Sequence, residues 1–208
     1  MEMTREIAQK VRDTVDAGLV SGVGQPEPGA MCVEAAVCYA LGLPHGDDPG
    51  CVSAPLRALK IRLNDSGWSS PQARAAGLRR LAVAQLGSKG ALDEPEFVRR
   101  VVDVSIRRVV PRALRSAAKV NPKHAEALEA AAVQCEREGT REAAENGRQV
   151  ARAADAVAAA AADAVAAAYA RVRDRTLAEF ADDVVEILID LKAPGCQWLD
   201  LVPKAEAA

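Results

Sequence analysis

Residues 70–87 read SPQARAAGLRRLAVAQLG, a stretch that carries its own start and stop. Ser70 is a residue type that caps helix N-termini. Pro71 stands at the first helical position, where its missing N–H costs nothing, and Gly87 follows Leu86, where a left-handed residue closes a helix. This punctuation predicts a helix, and the same grammar recurs in both directions.

Toward the N-terminus, a helix from about 54 to 63 stops at the turn formers Asn64, Asp65, Ser66 and Gly67. Another, over 30–41, is ended by Gly42, Pro44 and the GDDPG turn at 46–50. Ile7, Val11, Val15 and Leu19 recur every four residues behind Thr4, which predicts a first amphipathic helix. The intervening SGVGQPEPG (21–29) reads as a loop. Gly22 and Gly24 open a dinucleotide-like pattern, but the third glycine and a preceding strand are both lacking.

Toward the C-terminus, residues 93–119 predict a long helix with Asp93, Glu94 and Glu96 near the positive end of its dipole. Pro111 predicts a kink or break near Val109–Val110, because proline removes a donor and crowds the preceding turn. Asn121 and Pro122 restart a helix that runs to Gly139, with Asn121 as its cap. From Arg141 to Lys192 nothing stronger than Gly147 interrupts helical character, and 153–168 are a tandem repeat of AADAVAAA. One straight helix of that length would span about 75–80 Å. It must therefore project from the body or fold back.

Strand signals are nearly absent. With 50% apolar residues, much of that alanine, and 3% aromatics, the interior must be built from Ala, Val and Leu at close helix–helix distances. The expected fold is all-α: a globular multi-helix bundle over 1–139, then an Ala-rich helix or helical hairpin over 140–208 with a short docking tail at Cys196, Trp198, Leu199 and Leu201. No signal peptide and no uncharged apolar run of membrane-spanning length is apparent, so a cytoplasmic protein with no membrane partner is expected. Five cysteines in a reducing compartment are expected as thiols or metal ligands rather than disulfides.

Three chemistries compete for the function. The first is assembly. Val150, Val157, Ala161, Val165, Ala168 and Val172 fall on one apolar stripe of small residues, which suits close approach by another helix, from a second copy or another helical protein. The second is nucleic-acid binding. The charge of −2 divides into −5 over 1–56, +10 over 57–123 and −7 over 124–208. Arg108, Arg112, Arg115 and Lys119 make a cationic face set apart from the stripe Val98, Val102, Ile106, Val109 and Ala113. Against it stand the acidic pI, the scarcity of aromatics and the acidic helix carrying Asp174, Glu179, Asp182, Asp183, Glu186 and Asp190, which is expected to lie across that face.

The third is a zinc or reactive-thiol site at Cys38, His45, Asp47 and Cys51. These are permitted zinc ligands, but C-x6-H-x5-C is not a standard structural spacing and CxxC pairs are absent. Buried thiols acting as small hydrophobes are the expectation for Cys32 and Cys38. Two histidines, no serine triad and no phosphate loop supply little catalytic material. No catalytic residue and no cofactor is assigned, zinc being the alternative. The balance favours a non-catalytic interaction or assembly protein.

Cys32-Val33, Ala36-Val37, Tyr39, Asp47 or Asp48 with Pro49, Cys51-Val52 and Leu63-Asn64-Asp65 together resemble a motif of uncharacterised bacterial and phage-encoded helical proteins, some with Ala-rich tails. That family has no assigned activity. The resemblance implies a recurring helical module of roughly this extent and transfers no functional residue.

Overall fold

A computed structural model of the chain describes residues 2–158 and 162–204, with side chains 155–169 and 171 set aside. Among the described residues the fold is all-α. Its helices are α1 (Arg5–Asp16), α2 (Val33–Ala40), α3 (Ala54–Asn64), α4 (Pro71–Ala84), α5 (Glu94–Val104), α6 (Val110–Val120), α7 (Ala125–Glu138), α8 (Arg141–Ala158) and α9 (Ala162–Asp190). The one β-type feature among them is an isolated bridge between Gly24 and Met31. No described helix is long and apolar enough to cross a membrane.

The chain forms two compact units, residues 1–98 with 177–208, and residues 99–176. A boundary at residue 139 falls inside the second unit, because α7 and α8 pack on one another across it.

In the first unit α1, α2, α3 and α4 pack together with the short turn Pro194–Leu201. Local chemistry sets the helix starts: Thr4 Oγ1 accepts from Ile7 N–H, and Ser70 Oγ accepts from Ala73 N–H. The second expected helix is shorter than 30–41, because Cys32 is its cap: Cys32 Sγ accepts from Ala35 N–H at 3.3 Å. Asn64 and Asp65 act as a staple. Asn64 Oδ1 accepts from Val33 N–H at the start of α2, its Nδ2 donates to the Val20 carbonyl, and Asp65 Oδ1 accepts from Gly22 N–H. Burial pushes the Asp65 carboxyl upward, but hydrogen bonds from Gly22, Asn64 and Ser21 outweigh it and hold it below its ordinary value. The C-terminal turn packs on α4, where a Cβ at Gly195 would meet the Val83 and Ala84 carbonyl oxygens at 2.5 and 2.6 Å. That position admits only glycine.

In the second unit the core is Ile106, Leu114, Leu128, Ala131, Ala132, Cys135, Ala143 and Ala154. Pro111 produces no break: α5 runs into α6 through a π-turn, Ser105–Val109, in which Val110 N–H reaches the Ser105 carbonyl. Widening the turn accommodates the proline, which has no N–H for the Arg107 carbonyl. Asn121 is not a side-chain cap. Its Nδ2 turns back to the Ala117 carbonyl at 3.1 Å, and a short 3-10 turn, Pro122–His124, leads into α7. Gly139 ends α7 with φ +64°, and Arg107 donates to the Glu136, Arg137 and Glu138 carbonyls left open at that terminus.

Candidate functional site

The residues proposed as a metal or thiol site do not converge. Cys38 is 1% exposed in α2, and burial pushes its thiol up to about 11. His45 Nε2 hydrogen-bonds to the Gly24 carbonyl at 3.0 Å, and Asp47 Oδ1 accepts from Arg57 Nη2 at 3.0 Å. Cys51 is half-buried at a concavity with Met3, Leu43, Gly87 and Lys89, and burial raises its thiol as well. Among the described residues no group of three or more His, Cys, Asp and Glu is placed to hold a metal ion. The thiols are held protonated, contrary to what a nucleophile needs.

Beside these cysteines lies a feature the sequence did not announce. Lys60 Nζ of α3 is 3.2 Å from Glu34 Oε1 of α2, and both side chains are fully buried. Gln85 Nε2 donates to Glu34 Oε2 at 3.4 Å. Burial raises the Glu34 carboxyl and lowers the Lys60 amine, each opposed by the other's charge. In the sequence Lys60 is one of many cations in the basic segment 57–123. Only the packing of α2 on α3 reveals the pair.

The cationic face is partly consumed within its own unit. Arg115 forks between two carboxylates of α7: Nη2 lies 2.8 Å from Glu129 Oε1 and Nη1 2.5 Å from Glu136 Oε1. These bonds raise the Arg115 guanidinium and lower Glu136. Arg108 and Arg112 also have partners, and Lys119 is exposed. In the first unit Asp182 and Glu186 of α9 pair with Arg80 of α4, at 3.2 and 3.9 Å.

The second unit contains a groove of about 790 Å³. Val102, Ile106, Val110, Ala113, Leu114 and Ala117 form one side along α5, the π-turn and α6. Ala144, Gly147 and Ala151 of α8 and Val172 of α9 complete its apolar surface. Val102 and Val172 remain 52% and 37% exposed. The stripe expected to pass through Val109 passes instead through Val110, since the π-turn adds about one residue to that turn and advances the face accordingly.

Of the expected assembly stripe, Val150 packs against the core of this unit and Val172 lines the groove. Ala161 lies outside the described residues, as do the side chains of Val157, Val165 and Ala168. The charged residues at the groove are Arg141, Arg148, Arg173 and Glu145, and Glu145 Oε1 accepts from Arg141 Nε at 3.0 Å.

Comparison with known proteins finds no matching family, no matching curated protein and no matching solved structure.

Proposed function

We propose that this is a non-catalytic helical interaction protein, and that its contact surface is the apolar groove of the second unit. The observation that carries the reading is the combination of volume and lining: about 790 Å³ bounded by Val, Ile, Leu and Ala side chains, with Val102 and Val172 partly exposed. A pocket of a few hundred Å³ with mostly apolar walls and few polar groups is the usual form of a binding site. Exposed apolar area of this kind marks contact with another molecule. The partner in this reading is a second copy or another helical protein, received as a helix laid into a groove.

The test pairs light scattering after size exclusion with titration of the apolar dye 1-anilinonaphthalene-8-sulfonate. Wild-type protein is expected to bind dye at one site, and Val102→Glu with Ala113→Glu to abolish that binding while helicity is retained. Both positions are exposed, so the charges enter without disturbing the core. A folded wild-type protein that is monomeric at all concentrations and leaves the dye dark would remove the basis of the reading.

A further inference from the structure

The groove's dimensions and charge say what kind of helix it takes. Its long wall runs from Val102 to Ala117, which at ~1.5 Å per residue makes it about 22 Å long, or about four turns of a helix. The groove is open to solvent, with Val102 and Val172 52% and 37% exposed, so a helix lying in it seats one face and leaves the rest in solvent. Ala113, Ala117, Ala144, Gly147 and Ala151 are small enough to let that face come close.

Its charge is one-sided. Glu145 is the single carboxylate among the lining residues, and it is committed to Arg141. Arg148 on α8 and Arg173 on α9 enter no ion pair among the described residues, and both are exposed. The uncompensated cations stand on two different helices. Carboxylates beside the apolar face of a seated helix would meet these cations.

Resting on the groove as the contact surface, we infer that its occupant is an amphipathic helix of about four turns, apolar on one face and acidic beside that face. The guanidinium groups of Arg148 and Arg173 would receive the flanking carboxylates, and the valines and alanines between would cover the apolar face.

The experiment uses the full chain and two labelled 18-residue peptides, each an alanine-based helix with leucine at i, i+4, i+7 and i+11. One carries glutamate on both flanks of the leucine stripe and the other lysine. Fluorescence anisotropy is expected to show at least ten-fold tighter binding of the glutamate peptide, about 1.4 kcal/mol, with affinity falling as salt rises. Arg148→Glu with Arg173→Glu should abolish or reverse the preference, and circular dichroism should confirm that the variant is folded.

Equal binding of both peptides, lost in Val102→Glu with Ala113→Glu, would overturn the charge inference while leaving the groove as the contact surface. Failure of both peptides combined with uptake of laurate by the groove would overturn the helical occupant in favour of an acyl ligand. Absence of every ligand from a folded wild-type protein would overturn the inference and the groove reading together.

Discussion

Replacing Lys60 with methionine removes one charge of a fully buried pair and leaves the chain's length and most of its volume intact. The Glu34 carboxylate, 3.2 Å from the lost ammonium, then keeps, among the described residues, only the Gln85 amide as a hydrogen-bond partner, at 3.4 Å. Breaking a buried ion pair from one side costs about 3–5 kcal/mol, whereas replacing both partners with apolar residues is often neutral or stabilising. Lys60→Met is therefore expected to lose about 4 kcal/mol, a large share of the 5–15 kcal/mol typical of a domain. The double variant Glu34→Met/Lys60→Met should recover most of it.

The readout is local. Both tryptophans of the chain, Trp68 and Trp198, are buried in the first unit, so urea unfolding followed by tryptophan fluorescence reports that unit. With a slope of about 2 kcal/mol per molar urea, the single variant's midpoint should fall by about 2 M. The sign of the pH dependence gives a second check. In Lys60→Met, burial raises Glu34 with Arg57 but no longer Lys60 opposing it, so between the unfolded carboxyl value of about 4.3 and the raised folded value the native state binds more protons. Its stability is fully present below that window and is lost as pH rises through it, by at most about 1.4 kcal/mol per pH unit. Adding Glu34→Gln should flatten the slope. The reasoning is refuted if the two single methionine variants have costs that simply add in the double, or if Lys60→Met shifts the midpoint by less than about 0.5 M.

Three further outcomes are expected. Gly139→Ala places a Cβ against the Arg107 guanidinium at a positive φ, and should destabilise the α7 terminus by more than about 1 kcal/mol, seen as faster amide exchange at residues 136–141. Arg115→Ala frees Glu129 and Glu136 and should cost about 1 kcal/mol in α6 and α7 protection, with the effect reduced at high salt; a salt-independent loss would point to packing of the arginine stem instead. Iodoacetamide at pH 8 should label half-buried Cys51 well before Cys38, whose thiol is pushed up to about 11 and is 1% exposed; equal rates in peptide mapping would contradict the burial assigned to Cys38.

The helices and most of their ends are legible in the order of the residues. Thr4, Ser70, Pro71 and Gly139 act on groups within about four residues along the chain, so their effect is written locally and can be read locally. Pro111 was legible as a disturbance, although only the surrounding helices decided that it would be met by a π-turn rather than a break. The stripe holding Val102, Ile106 and Ala113 was likewise visible as apolar, but its continuation through Val110 depends on that turn. What joins residues far apart was decided by the tertiary structure. Lys60 meets Glu34 because α3 packs on α2, and Arg115 meets Glu129 and Glu136 because α6 lies along α7. Cys32, Cys38, His45 and Cys51 fall within twenty residues, yet Cys32 caps a helix, Cys38 fills the core and His45 holds a loop carbonyl. A linear pattern records residue type and spacing. Whether a charge ends in water, against its opposite or along an open groove is set by which helices come together in space.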